Sequence, residues 1–182
     1  ETLEDVALTI PLDAFDVDGD TLIFNANSEL EFFVSVDVNG DQLTMTPTEN
    51  WNGSVNISVT VSDGELEDFE VFVLTVAPVN DAPTIELPDS FTFSEDGSLS
   101  EDFSGFVGDI DEDDLTLTVS GMLNITVSID SFVVTFGSLL NFNGTETLIF
   151  TIDDSHGRAI ASDYIDIVVT PVNDSPLLGA IA

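Results

Sequence analysis

The chain has 182 residues, 43% of them hydrophobic, and its 36 acids face a single Arg, a single His and no Lys, for a formal charge of −35. A surface so poor in cations cannot neutralise phosphates, which excludes nucleic acid and anionic membranes as partners. The lack of Cys excludes disulfides and thiolate metal sites, and no run approaches the ~20 apolar residues of a membrane-spanning helix.

Strands are expected at 6–10, 21–26, 31–37 and 41–46. Val55, Ile57, Val59 and Val61 then alternate with Asn56, Ser58, Thr60 and Ser62, and a further strand is expected at 69–77. The second half continues with 90–94, the alternating Leu115, Leu117 and Val119, then 124–129 and 132–136. Leu148, Phe150 and Ile152 alternate next, followed by Ile165, Ile167 and Val169. A period of two places one face of each strand in a core and the other in water. Asp18-Gly19, Asn39-Gly40, Asn52-Gly53 and Asp63-Gly64 break the runs, and no segment has the period of an amphipathic helix. About seven short strands per ~90 residues predicts an all-β chain of two tandem seven-stranded Greek-key β-sandwiches, arranged end to end.

The chain repeats itself. Asn50-Trp51-Asn52-Gly53 recurs 91 residues later as Asn141-Phe142-Asn143-Gly144, and Pro78-Val79-Asn80-Asp81-Ala82-Pro83 recurs after 93 as Pro171-Val172-Asn173-Asp174-Ser175-Pro176. Glu4-Asp5 keeps step with Glu95-Asp96, Asp16-Val17-Asp18 with Asp109-Ile110-Asp111, and Asp63 with Asp154. A fixed period of this length makes the unit a domain. The expected division is 1–82 for the first repeat and 83–176 for the second, with 177–182 as the start of a following repeat or a tail. Both ends read as cut from a longer array.

The order Glu-Asp, Asp-x-Asp, Asn-aromatic-Asn-Gly, Asp-Gly, Pro-Val-Asn-Asp-x-Pro resembles the cadherin-like tandem repeats (Ig-like β-sandwich modules) of large prokaryotic secreted and surface proteins. The resemblance implies calcium between successive domains. Carried over by position, it implies that Glu4, Asn80, Asp81, Asp109, Asp111 and Asp154 form one inter-domain cluster. It further implies that Asp16, Asp18 and Asp63 form the top half of an upstream junction, and Glu95, Asn173 and Asp174 the bottom half of a downstream one. Animal cadherins have an acidic Asp-x-Glu where this chain has Asn50-Trp51-Asn52 and Asn141-Phe142-Asn143, which implies one or two ions per junction.

The chemistry of the residues points the same way. Calcium takes six to eight oxygen ligands in a tolerant geometry, and the run Asp109, Asp111, Glu112, Asp113, Asp114 repels itself without a cation. Asp20, Glu65, Glu67, Asp68, Glu101, Asp102 and Asp113 read instead as solvated loop acids. Asp16-Val17-Asp18-Gly19-Asp20 does not continue as an EF-hand, because Asn27 stands where the bidentate Glu belongs. Trp51 reads as packing under a tight turn, because Phe142 replaces it in the second repeat. His156 and Arg158, close together in one loop, build no nucleophile–base–orienter geometry, so the chain is read as non-catalytic.

The function expected is a calcium-rigidified structural or adhesive repeat of an extracellular or cell-surface protein. Its partners would be neighbouring repeats of the same chain, with homophilic, glycan or protein ligands open. Two other readings stay open: a glycan- or protein-binding module accessory to a secreted enzyme, and a sandwich whose acidity is an adaptation to salt.

Overall fold

The computed structural model describes residues 1–156 and 160–176, so the expected tail at 177–182 and Arg158 lie outside the described residues. Two compact units divide the chain between Val79 and Asn80. They are called repeat 1 and repeat 2.

Repeat 1 has seven strands: β1 (Thr2–Leu3), β2 (Leu8–Pro11), β3 (Ile23–Ser28), β4 (Val34–Asn39), β5 (Gln42–Pro47), β6 (Gly53–Ser62) and β7 (Glu67–Ala77). One sheet has the order β1-β7-β6-β3 and the other β2-β5-β4. The chain changes sheet between β1 and β2, between β2 and β3, between β3 and β4, and between β5 and β6, which is the Greek-key connectivity the strand count predicts. Val34, Leu43 and Met45 from the smaller sheet meet Val55, Ile57, Leu74 and Val76 from the larger one in a single buried cluster. Each such side chain, fully buried, contributes about 1.5–3 kcal/mol.

Repeat 2 contains the same seven strands as β9 (Ser90–Ser94), β10 (Leu99–Asp102), β12 (Thr116–Ser120), β13 (Ile125–Asp130), β14 (Val133–Ser138), β15 (Gly144–Asp153) and β16 (Ile160–Thr170). The sheets are β12-β15-β16-β9 and β10-β14-β13. It adds a short antiparallel pair, β8 (Thr84–Ile85) with β11 (Val107–Gly108), which no periodicity announces because two residues carry none. Its core is larger and aromatic. Phe103, Phe136 and Phe150 are fully buried, with Phe103 and Phe150 ring centroids 4.9 Å apart.

The long alternating runs became the long strands. Ile165, Ile167 and Val169 all face the core, and β16 starts five residues earlier than its apolar alternation, at Ile160. The strand expected at 31–37 begins at Val34, because Leu30–Phe33 form a turn closed by Phe33 and Val34 N–H donating to the Leu30 carbonyl. The one-residue spacings of Phe32 and Phe33 imitate a strand, but Phe32 points into water.

Candidate metal centre

The repeated landmarks are first of all parts of the fold. Glu4 and Glu95 are buried. The N–H of Glu4 donates to Ala77 O and that of Glu95 to Thr170 O, so each residue continues the parallel strand that precedes it. Both carboxylates are held by the same two partners. For Glu95 these are Val172 N–H at 2.7 Å and the Asn143 side-chain amide at 3.4 Å. For Glu4 they are Val79 N–H and the Asn52 amide, the latter at 3.3 Å. Three separate repeated motifs, Glu-Asp, Asn-aromatic-Asn-Gly and Pro-Val-Asn-Asp, therefore meet at one carboxylate in each repeat.

The Asn-aromatic-Asn-Gly motif is a turn with two left-handed residues, Asn50 (φ 56°) and Gly53 (φ 149°), matched by Asn141 (φ 58°) and Gly144 (φ 145°). Asn tolerates that region and Gly enters it freely. Trp51 stacks on Phe33 with centroids 5.6 Å apart and packs against the core of repeat 1, in the packing role expected of it.

The acidic loop of repeat 2 brings carboxylates together. Oxygens of Asp109, Asp111 and Asp113 lie within 4.8 Å of one another. Asp109 Oδ1 accepts the N–H groups of Asp111 (2.9 Å) and Asp113 (3.3 Å), an Asx turn that aims all three side chains to one side. Asp16 does the same for Asp18 and Asp20 in repeat 1. Asp109 Oδ2 is buried and accepts no hydrogen bond from any described residue. Carboxylates this close repel by about 1 kcal/mol per pair in water and about 4 at an effective dielectric near 20, so the loop concentrates negative charge at one point.

Around this group, Asp111 Oδ2 accepts the N–H of Asp81 at 2.8 Å. Asp154, also buried, accepts from the Asn80 side-chain amide at 2.9 Å and from His156 N–H at 2.8 Å. The Asn80 amide is the main reason its carboxyl is held below the ordinary value, with the His156 N–H next and burial opposing both. His156 Nδ1 stands 3.2 Å from Asp113 Oδ2, an ion pair whenever the ring is protonated. Asp113, read from sequence as a solvated acid, belongs to the cluster; the two-residue spacing continuing from Asp109 and Asp111 was the signal.

The remaining expected ligands are not gathered in this way. Asp16, Asp18 and Asp63 form no comparable group among the described residues. Asp63 caps its own turn, accepting N–H from Leu66 and Glu65 at 2.7 Å each. Those bonds, Leu66 first, lower its pKa. Glu95 lies in its cradle, while Asn173 and Asp174 are exposed. The Asn173 amide folds back to Asp174 O at 3.4 Å, as that of Asn80 does to Asp81 O at 3.0 Å.

Known proteins resemble the chain at two levels. The family model for the bacterial Ig domain matches residues 1–71 and 80–168. Among solved structures, human protocadherin-24 EC1-2 is similar at 15% identity and a TM-score of 0.58, covering 97% of this chain and 94% of that one. A second crystal structure of the same protein gives 15% identity and a TM-score of 0.53, over 94% and 93%. At that identity the likeness shows the fold, which is cadherin-like and Ig-like in tandem. An endo-fucoidan hydrolase of glycoside hydrolase family 107 is similar at 21% identity and a TM-score of 0.41, over 94% of this chain and 27% of that one. This chain thus spans about a quarter of the hydrolase's length. No curated protein matches the chain.

Proposed function

The chain belongs to the bacterial Ig domain family, and on that premise we propose that it is a calcium-rigidified structural or adhesive repeat of a large extracellular or cell-surface protein. Its work is mechanical and not catalytic. Calcium held where one repeat meets the next keeps a tandem array stiff.

The observation that carries this reading is the convergence of Asp109, Asp111 and Asp113 around a buried carboxylate oxygen, Asp109 Oδ2, that no described residue satisfies. The donor set fits calcium. It consists of carboxylate oxygens, hard donors of the kind calcium takes, with no thiolate and one imidazole nearby. Asp109, Asp111 and Asp113 would hold the ion, and the positional likeness to cadherin-like repeats adds Asn80, Asp81 and Asp154 as further ligands. The bound ion would supply charge neutralisation alone. That Glu4 contributes to the same junction, that Asp16, Asp18 and Asp63 belong to an upstream junction, and that Glu95, Asn173 and Asp174 belong to a downstream one, rests on the positional likeness to cadherin-like repeats.

A calorimetric calcium titration at constant ionic strength tests the proposal. Saturable binding is expected, with a rise in melting temperature equivalent to about 2.7 kcal/mol at a hundredfold excess over Kd. A longer maximum dimension in solution scattering is expected with it. Asp111→Ala and Asp81→Ala should behave as the chelated protein, and Asp68→Ala as the parent. If sodium at matched ionic strength does all that calcium does, the acidity is a salt adaptation and the proposal falls.

A further inference from the structure

Two turns at one end of repeat 1 hold an aromatic group that the fold itself does not require. Phe32 and Phe33 lie in the turn between β3 and β4, and Trp51 lies in the turn before β6. Thr48 N–H donates to Phe33 O at 2.8 Å and Trp51 N–H to Thr48 O at 3.2 Å, which ties the two turns together. Phe33 stacks on Trp51 with an interplanar angle of 19°. Phe32 meets Phe33 edge to face at 81°, with centroids 5.8 Å apart. The three rings run outward in order. Trp51 packs against the core, Phe33 is 40% exposed, and Phe32 is 86% exposed.

Repeat 2 builds the same end without this group. Phe142 takes the place of Trp51, and the loop between β12 and β13 is Gly121-Met122-Leu123-Asn124, with no aromatic residue. Core packing therefore accounts for Trp51, and the stack accounts for Phe33. Neither accounts for a phenyl ring held in water at the end of the series.

The charge around the rings limits what can cover them. Glu31 shares a turn with Phe32 and Phe33, Glu49 shares the other with Trp51, and both are exposed. Neither has an ion-pair partner among the described residues. Residues 1–79 contain no Lys, Arg or His, so repeat 1 has no cationic side chain of its own to place there. An anion is repelled by such a rim. A cation is attracted twice, by the carboxylates and by the negative face of an aromatic ring.

We propose that Phe32, Phe33 and Trp51, rimmed by Glu31 and Glu49, form a docking site for a cationic side chain of a basic partner protein. The cation lies over the open face of Phe32, and the carboxylates balance its charge. Arg suits the site better than Lys, because a planar guanidinium stacks on a ring. The calcium reading plays no part in this assignment.

The test uses the full chain in chelator at about 0.15 M salt, where exposed charges more than about 8 Å apart are largely screened. The probes are a short arginine–glycine peptide, the same peptide with citrulline for arginine, and a neutral glucose oligosaccharide. Trp51 is the only Trp, so its emission reports on the site. A saturable change is expected with the arginine peptide and none with the citrulline one. Phe32→Ala should weaken binding about fivefold and leave the urea midpoint of repeat 1 unchanged, because that ring lies outside the core. Glu31→Gln combined with Glu49→Gln should also weaken it, whereas Asp68→Asn, on β7, should not. An equal loss in Asp68→Asn would show diffuse attraction and overturn the assignment. So would equal responses to the two peptides, no response to either, or an affinity unchanged in Phe32→Ala. A response to the oligosaccharide alone would make the occupant a glycan and overturn it too.

Discussion

The side-chain amide of Asn80 donates to Oδ2 of Asp154 at 2.9 Å, joining residues 74 apart in sequence. One is the first residue of repeat 2 and the other follows the last residue of β15, so the bond ties the entry of the domain to the loop that closes its longest hairpin. It favours the ionised carboxylate and is the largest cause of the lowered Asp154 pKa. A depressed folded-state pKa contributes stability that is present above the unfolded value and is lost as pH falls through the folded one. Asn80→Ala is therefore expected to move the Asp154 titration up toward 3.8, read from side-chain carboxyl NMR. The destabilisation of repeat 2 should be full at neutral pH and should fade as the pH drops below that value. An Asp154 titration unmoved by the substitution would mean that the bond is not kept in solution.

Gly53 and Gly144 occupy the same place in the turn with nearly the same φ, yet their surroundings differ. A Cβ on Gly53 would come 3.1 Å from the Trp51 ring, whereas on Gly144 the nearest Phe142 atom is at 3.5 Å. Both substitutions to Ala force an L-residue into backbone space that costs of order 1–3 kcal/mol. Gly53→Ala must also push the indole by a few tenths of an ångström where it stacks on Phe33. Chemical denaturation should therefore rank Gly53→Ala as the more damaging of the two, with a change in Trp51 emission that accompanies no unfolding. Equal losses would show that the indole moves aside without cost.

How far the sequence could be read depended on whether a residue's partner was periodic. The strands whose apolar alternation exceeded three residues were legible, since burial on one face is what alternation encodes. The pair β8 and β11, the two-residue β1, and β10, whose Glu101 and Asp102 read as loop acids, were not, because their pairing depends on tertiary position. Of the candidate site, the repeated acids were visible as residues with a common spacing. What the spacing could not reveal is that Glu4 and Glu95 recur to hold the backbone of the following linker, or that Asp63 recurs to cap a turn. Aligned acids signal a shared structural need, and ion binding is one such need among several.

Glu146 illustrates a signal that was present and unread. It shares a strand face with Leu148, Phe150 and Ile152, a position held in repeat 1 by the buried Val55, so its alternation already placed a carboxylate inside. Its oxygens accept the N–H groups of Leu123 (2.7 Å), Asn124 (2.8 Å) and Ile125 (3.2 Å) and the Asn124 side-chain amide at 3.1 Å. Burial raises its pKa more than any single one of these bonds lowers it, but together they prevail and the pKa is lowered. Glu146→Ala strands several donors and is expected to cost about 1.5–3 kcal/mol, the range for hydrogen bonds to a charged group. By the same linkage that cost is fully present above the ordinary carboxylate value of 4.5 and shrinks below it. Urea unfolding of the parent and variant at pH 7 and pH 3 measures both quantities, and a pH-independent difference would mean that the lost bonds did not depend on the ionised form.

The cradle around Glu95 gives its carboxylate a structural role that can be tested apart from any metal. Val172 N–H and the Asn143 amide both point at it, and its own N–H extends the β9–β16 pairing to Thr170. Glu95→Gln keeps the length of the side chain but offers a single carbonyl oxygen to two donors, so one of them loses its acceptor. A cost of about 1–3 kcal/mol is expected, and because both donors belong to the protein it should be present in chelator. Glu4→Gln should behave alike in repeat 1, where Val79 N–H and Asn52 are the donors. Thermal unfolding of both variants in chelator measures the cost. If they match the parent there and differ from it only when calcium is added, the two carboxylates serve the ion and the cradle is incidental.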